Sequence, residues 1–223
     1  MDLSFDVGGG IVQQAGDVFE RDWAFASNVS AHVLYPRQAP SLAEVSHGAQ
    51  LVASGPDQAE DTLLALLITA AYRAQDRILV ATPYFFPYPS LLMALCLAAQ
   101  RGVRVELLIP RRSNHWLSDL ARHRAPRSLA AVGADVRLTA AMLHAKLVVV
   151  DQTLALAGSA NVDTRSLFLN YELMVAFHDL PDVQQFLEWF GAQRPRSEPH
   201  LPARPGVVRD IAEGLLMWVA FQI

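Results

Sequence analysis

The residues best suited to chemistry are His144 and Lys146, which stand two positions apart at the head of an apolar, β-branched run, Leu147–Val150. Such a run predicts a buried strand. Because side chains alternate across a strand, both residues are expected on the same face. An imidazole beside an ammonium on a buried face is costly unless an anion meets them there. The pair therefore indicates a site for an anionic ligand.

More polar groups follow the same strand. Asp151 closes it, and a second apolar run leads into the turn Gly158-Ser159-Ala160-Asn161, whose N–H groups, hydroxyl and amide can hold oxyanion oxygens. Glu172 begins a third strand-like run. This set of groups suits phosphoryl transfer. Imidazole attacks phosphorus or protonates a leaving alkoxide near neutral pH, while Lys146 and Asn161 spread the charge of the non-bridging oxygens.

The spacing of these residues forms the pattern His-x-Lys-x4-Asp-x6-Gly-Ser-x-Asn. At ordinary residue frequencies it arises by chance about once in 10⁸ starting points. It resembles the signature of the phospholipase D superfamily. Over most of the chain the sequence also resembles the C-terminal half of bacterial cardiolipin synthases. The stretches that carry this resemblance are Thr82–Pro87, Arg101–Val105 with Ser113–His115, Met142–Lys146 and Gly158–Ser166.

The resemblance implies a phosphatidyltransferase that moves a phosphatidyl group from one phosphatidylglycerol to another through a phosphohistidine, releasing glycerol. Such a mechanism needs two histidines, and by resemblance His144 is the general acid/base. Lys146 and Asn161 would hold phosphate oxygens with the Ser159 hydroxyl assisting. Asp151 would fix the strand end or Lys146.

Two carboxylates, Glu172 and Asp2, are candidates to orient imidazoles by hydrogen bonding, and the sequence leaves open which of them serves which histidine. His115 is a rival histidine in a polar loop, but it has no lysine two residues on. The chain has no Cys/His cluster of zinc spacing, no P-loop and no dinucleotide fingerprint, so neither a metal nor a cofactor is predicted.

Two loops after predicted strands carry candidate substrate-binding residues. Tyr84 and Phe85 lie among prolines, where composition is equally consistent with a pocket mouth and with loop anchors. The family resemblance favours the pocket. Arg111 and Arg112 form the basic pair of the next such loop, for which phosphate attraction and a solvated loop stay equally open.

Composition limits the class of protein. The chain has 223 residues, a formal net charge of −4, 52% hydrophobic and 18% charged residues, and one cysteine, Cys96. This allows one domain, or one and a half, and excludes disorder and an intramolecular disulfide. The acidic balance argues against a nucleic-acid partner. No apolar stretch reaches the roughly 18–20 residues that span a bilayer, and the N-terminus has no signal-peptide pattern.

The order β-α-β-α-β-β-β-α predicts an α/β sandwich with a mixed, largely parallel central sheet flanked by helices. The resemblance implies that this sandwich is a lobe of the phospholipase D type. Its active groups should collect at one edge of that sheet. Residues 58–193 would form this lobe. Residues 31–57 would be a connector, and residues 194–223 a Pro-rich linker with an amphipathic tail. The tail is equally consistent with a membrane interface and with docking on the protein.

Residues 1–30 resemble a later part of the same chain. Asp2–Trp23 parallels Glu172–Trp189 in its order of strand, turn and helix, and the pairs Gln13-Gln14 and Gln184-Gln185 fall at nearly equal offsets. We interpret residues 1–30 as a strand and helix left from a first lobe. Because phospholipase D-like enzymes pair two such lobes, each with one motif, the single motif here implies an incomplete enzyme.

The partners implied by the resemblance are a phospholipid substrate, a membrane surface, and either a missing N-terminal lobe or a second copy in a homodimer. The implied location is the cytoplasmic face of the bacterial inner membrane, with peripheral attachment. Two other functions stay open. One is a phosphodiesterase or nuclease that assembles its site as a homodimer, and the other is a non-catalytic lobe that binds lipid or a partner.

Overall fold

The apolar, β-branched runs of the sequence lie side by side in one large sheet. The structure, a computed structural model, describes residues 1–27, 48–56, 62–112 and 123–200. The strands are β1 (Ala49–Ser54), β2 (Arg77–Ala81), β3 (Phe85–Phe86), β4 (Arg104–Pro110), β5 (Asp135–Thr139), β6 (Leu147–Val150), β7 (Leu154–Gly158), β8 (Val162–Asp163), β9 (Glu172–Phe177) and β10 (Ser197–Pro199). Eight of them form a sheet in the order β1-β9-β7-β6-β2-β4-β5-β10, and β3 and β8 form a small parallel pair.

Helices cover both faces of this sheet. They are α1 (Gly10–Ala26), α2 (Thr62–Arg73), α3 (Pro89–Gln100), α4 (Arg124–Ala131), α5 (Thr164–Phe168) and α6 (Leu180–Gln193), and a 3-10 turn follows at Arg194–Arg196. Val148 and Val150 of β6 join the core under α2 and α3, whereas Leu147 and Val149 join the core under α6. The strand alternates between two apolar layers, which is why its sequence is apolar throughout.

The sheet is mixed, as the sequence predicts, but it is not largely parallel. β2 pairs in parallel with β4, and β4 with β5, because α3 and α4 supply the crossover connections. The other described neighbours in the sheet are antiparallel. Residues 151–153 join β6 to β7 in a turn too short for a crossover, so this pair must be a hairpin.

Two predicted linkers contribute strands to the sheet, which corrects their assignment. β1 falls within the predicted connector 31–57 and pairs with β9. β10 falls within the predicted linker 194–223 and pairs with β5. Both are edge strands whose partners are distant in sequence, so local patterning misses them. Residues 31–47 and 57 of the connector and residues 201–223 of the tail lie outside the described residues.

The segment before α1 alternates in burial as predicted, with Leu3 and Phe5 packed on the core under α6. The predicted strand does not form, because the described residues give this segment no ladder partner. Among the described residues its backbone hydrogen bonds to the motif region are made at Met1, whose carbonyl accepts a 2.8 Å hydrogen bond from the N–H of His144 and whose amine donates to the carbonyl of Met142. This contact lays Asp2 beside the motif histidine.

Candidate active site

Three of the motif residues, His144, Lys146 and Ser159, lie together at one end of the central strands. Leu147 opens β6 opposite Ala81, the last residue of β2, so Lys146 projects just beyond the strand ends. Its carbonyl accepts a 3.3 Å hydrogen bond from the N–H of Gly158. One residue on, the N–H of Ser159 donates to the carbonyl of Leu173 at 3.0 Å. The turn after β7 and the start of β9 thus meet the motif strand.

His144 is held at both ring nitrogens. Its Nδ1 lies 3.3 Å from Oδ1 of Asp2, and its Nε2 lies 2.9 Å from Nζ of Lys146. An ammonium can only donate, so Nε2 accepts from Lys146 and Nδ1 carries the proton that faces Asp2. The predicted contact between Asp2 and His144 is therefore present in the structure. His144 presents the lone pair of Nε2 to the space around Lys146.

Lys146 lies close to several charges. Its Nζ donates to the carbonyl of His144 at 2.9 Å. Partial burial lowers the pKa of its ammonium, and the negative charges of Glu172, Asp2 and Asp163 oppose that change. Lys146 is on the same side as His144, as strand alternation predicts.

Glu172 is fixed by hydrogen bonds at both carboxylate oxygens. Ser159 Oγ donates to Oε2 at 2.5 Å, and Asn170 Nδ2 donates to Oε1 at 3.1 Å. Our sequence analysis missed Asn170, although a signal exists, because it precedes Glu172 by two residues and so shares its face in an extended segment. Ser159 Oγ also accepts from the N–H of Leu173 at 2.9 Å. Its hydroxyl proton is therefore used by Glu172, and the predicted assistance of Ser159 to a phosphate oxygen does not match this geometry.

Asn161 differs from its predicted placement. Its side chain hydrogen-bonds the carboxylate of Asp163, while its own Oδ1 is buried with no hydrogen-bond partner. Asp163 also accepts from the N–H of Ser166 at 2.7 Å and so caps α5. Burial raises the pKa of Asp163 above its usual value, against the effect of these hydrogen bonds. The structure does not bring Asn161 to the lining of the cleft that contains His144.

Asp151 lies at the other end of β6 from Lys146, and this position corrects its predicted catalytic role. Five residues of extended chain separate it from Lys146, a distance of about 17 Å. Its Oδ1 accepts from the N–H groups of Asp76 and Arg77 at 2.8 Å each, and its Oδ2 accepts from that of Gln75 at 3.0 Å. Of its two predicted roles, fixing the strand end fits this geometry, and contact with Lys146 does not.

The predicted substrate-binding residues do not line the cleft. Phe85 is only 2% exposed and packs in the core under α2 and α3, so its assignment to a pocket is wrong. Tyr84 is half-buried, and its carbonyl accepts a 2.8 Å hydrogen bond from Thr82. Arg111 follows β4, which lies two strands and about 10 Å from β6, and its side chain forms an ion pair with Glu198. Arg112, the next residue, is exposed.

The open cleft beside His144 has a volume of about 340 Å³ and is lined by Asp2, Leu3, Phe5, His144, Ala145, Lys146, Gly158 and Ser159. Within the described ranges, no group of three or more His, Cys, Asp or Glu residues is placed to hold a metal ion. None of the helices in those ranges is both long and apolar enough to cross a membrane. An imidazole, a cation and flanking carboxylates in such a cleft can bind a phosphate and exchange a proton with it.

Solved structures define the class of this fold. The chain is similar to Nuc from Salmonella typhimurium, a phospholipase D family member, with a TM-score of 0.57 and 23% identity over 68% of this chain and 98% of that one. It is also similar to phosphatidylserine synthase from Haemophilus influenzae, with a TM-score of 0.58 and 16% identity over 77% of this chain and 46% of that one. The sheet and helices thus form an α/β lobe of the phospholipase D class.

Sequence comparison narrows the class to a family. A family model described as "Cardiolipin synthase, PLD-like domain" matches residues 67–194, more than half of the chain. The chain belongs to this family. It is 36% identical over 184 residues to cardiolipin synthase A of Escherichia coli O157:H7, which covers 80% of this chain. The chain spans 37% of the length of that relative.

Proposed function

We propose that this chain supplies one half of a phospholipid phosphatidyltransferase of the cardiolipin synthase type. The observation that carries the proposal is the setting of His144, between the Asp2 carboxylate at 3.3 Å and the Lys146 ammonium at 2.9 Å in an open cleft. A carboxylate at Nδ1 keeps the ring proton on that nitrogen and leaves the lone pair on Nε2, as a general base requires. In this structure that lone pair accepts from Lys146, and a phosphate that binds the ammonium would release it. The adjacent ammonium can stabilise a non-bridging phosphate oxygen.

The proposed reaction is two displacements at phosphorus. A nucleophilic imidazole forms a P–N bond as the P–O bond to glycerol breaks, and a second imidazole protonates the glycerol oxygen. The hydroxyl of a second phosphatidylglycerol then attacks phosphorus, the P–N bond breaks, and the second imidazole takes the hydroxyl proton. His144 fits the second role. Among the described residues no other histidine lines the cleft, and His115 lies outside them. We therefore propose that the nucleophile comes from another lobe or another copy.

The exposed face of α1 supports a second lobe. Val12 and Phe19 are 54% and 64% exposed, and Trp23, 60% exposed, continues the same apolar stripe. In the internal repeat, Val12 and Phe19 correspond to Val183 and Phe190 of α6, because each valine directly precedes a Gln-Gln pair. Both α6 residues are buried against the sheet. Helix α1 thus presents the apolar face of a core helix, and no sheet in the described part of the chain covers that face, which supports its assignment to a first lobe.

The substrate class and the location rest on the family. One relative is named cardiolipin synthase A. We propose phosphatidylglycerol as donor and acceptor, as the resemblance to this family implies, with a membrane surface as the place of reaction. We propose peripheral action at the cytoplasmic face of the bacterial inner membrane. The predicted amphipathic tail, which lies outside the described residues, would be one route to that surface.

A phosphodiesterase that assembles from two copies is the second candidate. The match to Nuc favours this candidate, because it covers 98% of the Nuc chain. A single lobe can therefore make up a whole chain in this fold class. The formal net charge of −4 disfavours a nucleic-acid substrate. Hydrolysis of bis(p-nitrophenyl) phosphate without transfer to phosphatidylglycerol would select this candidate.

The test is complementation with a first lobe. The chain is expressed together with the part of the Escherichia coli relative that it does not match, and glycerol release and cardiolipin formation are measured on phosphatidylglycerol vesicles. We expect the complemented pair to form cardiolipin. We expect His144→Ala to lower the rate at least about a hundredfold, the usual acid–base contribution. Activity of His144→Ala above about a hundredth of the parent rate would remove His144 from the mechanism.

A further inference from the structure

The ammonium of Lys146 has three carboxylates around it but no ion pair with any of them in the described part of the chain. The charges that act on it are Glu172, Asp2 and Asp163. Its own contacts are the Nε2 and the carbonyl oxygen of His144. An unpaired ammonium beside three carboxylates is unstable unless each carboxylate is held elsewhere, because any of them would gain by turning towards it.

Each of these carboxylates does have another partner. Asp2 faces Nδ1 of His144. Asp163 accepts from the N–H of Ser166 and from Asn161. Glu172 accepts from Ser159 at Oε2 and from Asn170 at Oε1. Glu172 is the strongest of the three opposing charges at Lys146, so its two hydrogen bonds matter most.

Asn170 is placed on a tightly bonded turn. The N–H groups of Leu169 and Asn170 both donate to the carbonyl of Arg165, at 2.8 and 2.9 Å. Phe168 packs edge-on against Tyr88, with the ring centroids 5.1 Å apart. Leu169, beside Asn170 in this turn, is 60% exposed, whereas Asn170 turns inward to Glu172. The turn therefore presents the amide of Asn170 in a fixed position.

We propose that Asn170 is a positioning residue that holds the Glu172 carboxylate away from Lys146 and so keeps the ammonium free to bind a phosphate. Without the Asn170 amide, Oε1 of Glu172 loses its donor and the carboxylate turns about its remaining bond to Ser159 towards Lys146. The resulting ion pair would compete with any anionic ligand. The inference rests on the proposed function, since it assigns Lys146 to phosphate binding.

The chain offers a direct assay, because Lys146 is its only lysine. Trace labelling with acetic anhydride modifies only neutral amines, and peptide mapping separates Lys146 from the N-terminal amine. An ion pair with Glu172 raises the pKa of the Lys146 ammonium and slows its labelling at a fixed pH. For Asn170→Ala we expect labelling about threefold slower than in the parent chain, the size of a partly exposed ion pair.

The controls separate positioning from general damage. Leu169→Ala changes an exposed residue on the same turn and should leave the labelling rate unchanged. In a Glu172→Gln background, Asn170→Ala should have no effect on Lys146, because the carboxylate is gone. Asn170→Ser, whose side chain is too short to reach Oε1, should repeat the effect of Asn170→Ala. If Asn170→Ala does not fold, as judged by circular dichroism, the serine variant replaces it in every comparison.

Inorganic phosphate distinguishes this inference from the proposed function. Phosphate should protect Lys146 of the parent chain from labelling, and half-protection of Asn170→Ala should need about threefold more phosphate. An unchanged or faster labelling rate in Asn170→Ala would overturn the role of Asn170. So would a decrease in the labelling rate of the same size when Asn170→Ala is made in the Glu172→Gln background. Slower labelling of Asn170→Ala with no phosphate protection of the parent chain would leave the Glu172 contact in place and reject the phosphate site.

Discussion

Replacing Asp151 by alanine tests whether this motif residue stabilises the fold rather than the reaction. Its carboxylate accepts from three backbone N–H groups at the start of β2, of which that of Arg77 is partly buried and the other two are exposed. Its backbone has φ of 53°, in the left-handed region that Asp tolerates better than Ala. Both features are lost in Asp151→Ala.

The expected loss follows from these contacts. One partly buried charge-assisted hydrogen bond contributes about 1.5 kcal/mol, and the two exposed ones add about 0.5 kcal/mol in total because water replaces them. The left-handed backbone costs alanine about 1 kcal/mol more. The free energy of unfolding should therefore fall by about 3 kcal/mol. Asp151→Asn should lose less, because one oxygen can still accept at the Oδ1 position, which binds two of the N–H groups.

Urea unfolding followed by circular dichroism measures this loss. Trace labelling of Lys146 at a fixed pH, in urea concentrations below the unfolding transition, reports on the site. We expect Asp151→Ala to lower the midpoint and to leave the labelling rate of the folded chain unchanged, because the two residues lie about 17 Å apart. Asp151→Gly should recover about 1 kcal/mol relative to alanine, since glycine accepts the backbone conformation. A stable Asp151→Ala with an altered Lys146 labelling rate would refute this account of Asp151.

Two further predictions concern a buried carboxylate and the exposed helix face. Burial raises the pKa of Asp163, so its ionised form costs stability at neutral pH, and its favourable contribution is lost as pH rises through the folded-state pKa. Asp163→Asn can still cap α5, so in urea at pH 7 its free energy of unfolding should exceed that of the parent. This difference should vanish below about pH 4. A variant that is less stable than the parent by the same amount at both pH values would contradict this prediction. Phe19→Ala should reduce self-association in sedimentation velocity and change the unfolding free energy by less than about 0.5 kcal/mol, whereas Phe190→Ala at the matching position should cost about 3 to 5 kcal/mol. Equal costs at both positions would reject the exposed face of α1.

The sequence predicts the motif strand well, because local pattern determines it. Leu147–Val150 and Leu154–Gly158 both form strands, as their apolar runs indicate, although the sequence did not predict that they pair as a hairpin. The alternation that places His144 and Lys146 on one side also holds, since it depends only on extended backbone. The alternation of Leu3 and Phe5 onto the core holds as well, but the place of Asp2 beside His144 depends on the backbone contact between Met1 and His144, which is a tertiary property.

Features that depend on distant partners could not be read from local pattern. The edge strand Ala49–Ser54 is bounded by glycine and proline and is recognisable only through its pairing with β9. Phe85 lies in a stretch whose composition fits a pocket mouth, and only its packing in the core under α2 and α3 shows that it is buried. The hydrogen bonds of Ser159 and Asn161 depend on Glu172 and Asp163, whose orientation relative to the turn is a tertiary property.

The central claim, that this chain holds one of the two imidazoles of a phosphatidyltransferase, is tested most directly by activity resolved by size. The purified chain is separated into monomer and larger species, and each fraction is assayed for cardiolipin formation on phosphatidylglycerol vesicles, with His144→Ala as the control. We predict no turnover by the monomer and His144-dependent turnover only in fractions that contain a second lobe or a second copy. A monomer that forms cardiolipin at ordinary enzymatic rates would contradict the claim.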